Sequence, residues 1–145
     1  MDDPVYLHLG PGRDPSGPAL GPFKAVVIIE APVTVEWRAR VSQWLVESGC
    51  LYMSAWGLEC SLWDDSVDFA NLDAFAFGDI PDDKFVMTTW HEDEPLSEVL
   101  WFAGHAARHP DVTLEHVVLL HISAQEDPAR LIGAFRDAQQ GERAS

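Results

Sequence analysis

The sequence predicts a single three-layer α/β domain whose mainly parallel sheet has about four strands and a short N-terminal edge strand. Three observations carry this. Four apolar runs of strand length recur at Lys24–Glu30, Cys50–Trp56, Phe85–His91 and His116–Ser123. Helical patterns over 34–48, 95–109 and 128–139, with a weaker one near 61–74, alternate with them, as in parallel sheets built by crossover helices. A chain of 145 residues that is 47% apolar is long enough to bury one sizeable core.

Residues 1–22 form a Pro/Gly-rich arm, in which Val5, Leu7 and Leu9 alternate with Tyr6 and His8 as an edge strand would. Gly10-Pro11-Gly12 lacks the later glycine, the lysine and the helix of a phosphate loop. The domain proper spans 23–140. Lys24–Glu30 is nearly continuous in β-branched residues, as expected of a strand covered on both faces. Pro32 and Thr34 open the next helix, Trp37, Val41, Trp44 and Leu45 share its inner face, and Gly49 stops it. Cys50–Trp56 follows and ends at Gly57. Leu62, Trp63, Val67, Ala70 and Ala74 suit a helix interrupted by acids, and Phe75 and Phe77 alternate like a short extra strand. Pro95 starts the clearest helix, with Glu94 at its positive dipole end and Trp101 opposite its apolar face. Asp127 and Pro128 start the last helix, and residues 141–145 form a frayed tail. The preferred order of the four main strands is 2-1-3-4, which puts the topological switch between the first and third.

Net charge is −15, and residues 59–98 hold 12 acids against Lys84 alone. Such a field disfavours nucleic acid and anionic membrane surfaces, and favours a basic protein partner. No run reaches the length of a membrane span and no secretory signal is visible, so a cytoplasmic location is expected. Cys50 and Cys60 are expected to be reduced.

Ligands on parallel sheets bind where strands end and helices begin. The expected strand order brings Glu30 and His91 together there, with Glu94 close by. A carboxylate beside an imidazole can do acid–base work. The competing expectation is that Glu30 and Glu94 cap helices. His91 and His121 are the candidate metal ligands, with Glu30, Cys60 and Glu59 as helpers, but no ligand pair has a diagnostic spacing and no cofactor is expected. Six tryptophans are many for this length. Trp56, Trp63, Trp90 and Trp101, together with Asp64, Asp65, Glu92, Asp93, Glu98 and His105, make up the expected acidic, aromatic binding surface. Trp101 packs instead under the N-terminal arm in one alternative. In another, Trp101 and His105 form the shared face of a homodimer.

The stretch TTWHEDEPL (Thr88–Leu96), followed by Phe102, His105–Pro110 and VVLLHI (Val117–Ile122), resembles a family of small uncharacterised bacterial α/β proteins over roughly residues 24–139. That resemblance implies the fold and no activity. The excess of arginine over lysine fits a GC-rich bacterial source. A more distant similarity is to small acidic toxin-neutralising proteins. The resulting expectation is a non-catalytic module, inhibitor-like or immunity-like, engaging a basic partner. The alternative is an enzyme with an acid/base or metal site around Glu30 and His91.

Overall fold

The computed structural model describes residues 3–141. Five strands run in chain order with four α-helices: β1 (Val5–Leu9), β2 (Phe23–Ile29), α1 (Val35–Ser48), β3 (Cys50–Gly57), α2 (Cys60–Ala74), β4 (Met87–His91), α3 (Leu96–His105), β5 (His116–Ile122) and α4 (Pro128–Gln140). All pairings are parallel, in the order β1-β5-β2-β3-β4. The α/β class and the N-terminal edge strand stand as expected.

The order of the main strands does not. β4 pairs with β3 at the far edge, and β5 takes the place beside β2. The chain steps outward from β2 through β3 to β4, with α1 and α2 over one face. It then returns through α3 to the other side of β2. Right-handed crossovers require that reversal to put α3 on the opposite face, where α4 packs beside it. The topological switch therefore lies between β2 and β5, not between β2 and β4.

Every residue of β2 is buried, as a central strand covered on both faces demands. Ala25, Val27 and Ile29 join Val118, Leu120 and Ile122 under Trp37, Val41 and Leu45 of α1 and Trp63 and Val67 of α2. Val26, Ile28 and Leu119 pack on the other face against Val99, Leu100, Leu131 and Phe135 of α3 and α4. The Thr34 hydroxyl accepts from the Trp37 amide at 3.2 Å, capping α1, and Gly49 ends that helix in the left-handed region at φ 103°. No described helix is long and apolar enough to cross a membrane.

Other expectations are corrected locally. Phe75 and Phe77 form no strand: Ala76 and Phe77 have φ of 53° and 61° in a turn closing α2. α3 stops at His105 rather than 109, because the amides of Ala106 and Ala107 both turn back to Phe102 O. Pro110 also disfavours helix at His109. Leu7 and Leu9 of the arm pack on the α1 side of the sheet, opposite the cluster that Trp101 joins, so Trp101 is not their cover. The arm crosses the α1 face, where Arg13 O accepts from Trp37 Nε1 at 2.7 Å and Gly17 lies against Trp44. Of the expected tail, residues 142–145 lie outside the described residues.

Candidate functional site

At the switch, β2 and β5 end side by side. Ile29 pairs with Ile122, and the Glu30 amide donates to Ile122 O at 2.9 Å. The alternation of β5 turns His121 toward α4, where β1 presents Tyr6 on the same face. Tyr6 Oη–H donates to His121 Nδ1 at 2.7 Å, and His121 Nε2–H donates to Glu30 Oε1 at 2.6 Å. Arg130, in the first turn of α4, reaches the same Glu30 oxygen at 2.5 Å and bonds Asp127 Oδ2 at 2.8 Å. The Asp127 amide closes the chain on Tyr6 Oη at 2.9 Å. Each donor has one acceptor, and the tautomer that satisfies them all is neutral His121 with its proton on Nε2.

His121 is only 1% exposed, so removing any partner leaves a buried polar atom unsatisfied. Burial pushes the Glu30 carboxyl up, but the hydrogen bonds from Arg130 and His121 outweigh it and hold the group below its ordinary 4.5. Its stabilising effect is therefore complete above pH 4.5 and is lost as pH falls through the lowered value. Glu30→Gln should cost about 1.5–3 kcal/mol at pH 7, the range for a hydrogen bond to a charged group. Urea unfolding at pH 7 and pH 3 should show the gap between wild type and variant shrinking at the lower pH. A gap that is equal at both would contradict the ionised pairing.

His91 is two strands away from Glu30. With β3 between β2 and β4, the expected Glu30–His91 pair does not form. His91 builds its own chain instead. Its Nδ1 lies 2.9 Å from Glu94 Oε2, its Nε2 lies 2.9 Å from Thr89 Oγ1, and Thr89 Oγ1 bonds Ser54 Oγ at 3.0 Å. Phe102 packs against the ring with centroids 5.2 Å apart. Hydroxyl, imidazole and carboxylate follow in an order that can pass a proton. Both ring nitrogens are engaged, however, and the residue is 9% exposed. Glu94 makes no helix cap, because Pro95 occupies that position and has no side-chain cap bond. Glu30 caps no helix either, since Thr34 performs that role for α1.

Among the described residues no group of three or more His, Cys, Asp or Glu side chains is placed to hold a metal. Cys50 and Cys60 are both free and buried, and burial pushes Cys50 up to about 12, which makes it a poor nucleophile.

The expected binding surface divides. Trp63 is fully buried and Asp64 is 6% exposed, so neither belongs to a surface. Burial pushes the carboxyls of Asp64 and Asp68 up, and Thr88 Oγ1 donates to Asp68 at 2.8 Å. Trp56 is partly buried and its Nε1–H donates to Glu94 O at 2.7 Å. Trp90 is 50% exposed, and Asp65, Glu92 and Asp93 are exposed, while Glu98 is half-buried. Trp101 does not stand outward. It packs against the core between α3 and α4 and lies on His105, with ring centroids 5.0 Å apart. His105 in turn lies 3.3 Å from Gln139 O of α4. Gly104 allows this close approach, since a Cβ there would strike the Gln139 side chain.

Sequence reasoning missed an exposed apolar stripe on α2. Leu62, Phe69 and Leu72 are 41–61% exposed, and Phe69 meets Phe77 with ring centroids 5.3 Å apart. Their spacing of seven and three was a legible signal, masked by the acids between them. Beside Leu62 and Phe69 runs a groove of about 440 Å³ between α1 and α2, also lined by Val35, Arg38, Asp65 and Asp73.

Residues 5–138 match a family described as a domain of unknown function (DUF7684). The chain belongs to that family. The match begins with β1 and ends within α4, so it takes in the arm as well as the range from 24 onward. No curated protein and no solved structure matches the chain.

Proposed function

We propose that this protein is a non-catalytic binding module that engages a basic protein partner through the outer face of α2 and its flanking turns. One observation carries the reading. Of the eight large apolar side chains that stand exposed among the described residues, seven lie from Leu58 to Trp90, the same stretch that concentrates the acids. An apolar centre ringed by charge of one sign is the usual anatomy of a recognition surface. Monomeric surfaces rarely gather such side chains without use. The cations of the facing α1 lip are already committed, Arg38 to Glu59 at 3.4 Å and Arg40 to Asp14. Among the described residues no salt bridge reaches Asp65, Asp68 or Asp73. Asp65 and Asp73, both exposed, remain available to lysine or arginine on a partner. Occlusion of a cationic active site, as an inhibitor or immunity protein would do, suits this chemistry.

Phe69→Ala is the test. The side chain is exposed but meets Phe77, so stability should change by no more than about 1 kcal/mol. A partner captured by the wild-type protein should bind the variant about 30-fold more weakly, the effect of losing a central aromatic anchor. Its association should also weaken steeply as salt rises. A partner that binds the variant as tightly as wild type, or ignores salt, would show that this face is not the interface.

A further inference from the structure

Lys24 stands out in β2, where every other residue is apolar. It points toward the α3 and α4 face at the N-terminal end of the sheet, far from the switch. It is 9% exposed, and its Nζ donates to Ala107 O at 3.2 Å. Among the described residues no carboxylate forms a salt bridge with it. In so acidic a chain, none of the described carboxylates is set against this buried ammonium. An unpaired buried charge is strongly unfavourable, and an apolar residue of similar size would serve the strand better. A lysine there calls for a counter-charge supplied from outside the chain.

The space for one is present. Lys24 and the loop 107–114 line a cavity of about 440 Å³, within the range that holds small organic ligands. Arg108 stands exposed at its rim, and Asp111 is the one carboxylate in the lining. His109 fixes the loop without adding charge. Its Nε2–H donates to Phe85 O at 2.7 Å, and its Nδ1 accepts from the amides of Asp111 and Val112 at 3.1 and 3.2 Å. Two of the three Lys24 ammonium protons are left for a ligand, and the Arg108 fork can reach the same group from outside. Burial first, and then the Arg108 guanidinium, push Lys24 down from 10.5, as two cations around an open cavity must.

We infer that the cavity beneath the 107–114 loop binds a small phosphate monoester or comparable dianion, with Lys24 at its floor and Arg108 at its rim. This site is independent of the α2 surface. The probe is inorganic phosphate, titrated into the intact protein while amide chemical shifts are followed, with sodium chloride at matched ionic strength as the reference. Phosphate should produce saturable shifts in the 107–114 amides that chloride does not. Lys24→Met should abolish them, and Arg108→Ala, at an exposed position that folding does not need, should weaken binding about tenfold. If Lys24→Met fails to fold, Arg108→Ala decides alone. Shifts that never saturate, that chloride reproduces, or that survive both substitutions unchanged would overturn the site and leave Lys24 as a brace for Ala107.

Discussion

Gly57→Ala should be among the most damaging single substitutions in this protein, lowering stability by about 3–5 kcal/mol. Gly57 closes β3 at φ 108°, a backbone region that side chains rarely enter. A Cβ there would stand 2.1 Å from Ile29 O, 3.0 Å from Ile29 C and 3.2 Å from Ile29 N. All three are backbone atoms of the central strand, so no rotamer change relieves the clash. Ile29 O also accepts from the Leu58 amide at 3.0 Å, a bond that holds the turn into α2. The next residue is Glu30, which carries the Tyr6–His121–Arg130 network. Displacing Ile29 therefore strains the sheet and loosens that network together. Gly12 is the internal control. Its φ of 81° is also left-handed, but nothing lies within 4 Å of a Cβ there, so Gly12→Ala should cost only about 1 kcal/mol. Thermal melts should separate the two, since about 3 kcal/mol shifts the midpoint of a domain this size by roughly 6–12 °C. A Gly57→Ala variant that melts with Gly12→Ala would refute the close approach of the two strand ends.

The strands and helices were legible because burial imposes periods that a sequence records. β2 reads as a covered strand because both of its faces are covered. α1 shows its stop at Gly49 because only a residue tolerant of positive φ ends a helix in that way. The order of the strands left no such record. Whether β4 or β5 lies beside β2 depends on which face each crossover helix covers, and amphipathic helices read alike on either face. That one ambiguity relocated the candidate site. Glu30 lies at the end of β2 beside the observed switch, and its partner is His121 of β5, 91 positions away. Tyr6 is further still, 115 positions from the histidine it bonds. The His91–Glu94 contact spans three residues and was within reach of sequence reasoning. Lys24 gave no warning, because a lysine opening an apolar run reads as a solvated strand end. Nothing local to it shows that the 107–114 loop folds over it.

Tryptophan exposed the other limit, and Trp63→Ala would bring it into the open. In sequence Trp63 lies among acids and looks like part of a charged surface. In the fold it occupies the first turn of α2, turned wholly inward, at 0% exposure. It meets Trp37 of α1 edge to face, with centroids 6.3 Å apart and planes at 88°. Truncation to alanine would empty the space between both helices and the sheet. The expected cost is about 3–5 kcal/mol, since rigid strands on one side and two helices on the other limit collapse of the cavity. The indole nitrogen has no hydrogen-bond partner among the described residues. Trp63→Phe should therefore be milder than alanine, because it keeps most of the ring and removes an unsatisfied N–H group. Trp90→Ala, at a position 50% exposed, should change stability by no more than about 0.5 kcal/mol. Chemical denaturation of the three variants yields a ranking of alanine at 63, then phenylalanine at 63, then alanine at 90. A surface role for Trp63 demands a different result, namely stability near wild type at both positions and loss only in complex formation. Since α1 and α2 hold the face proposed to meet a partner, a destabilised Trp63→Ala variant would also be expected to bind more weakly. Weak binding by that variant says nothing of direct contact unless its folded fraction is measured first. Phe69 and Trp90, whose removal is expected to leave the fold intact, are the positions where a binding defect would identify the interface.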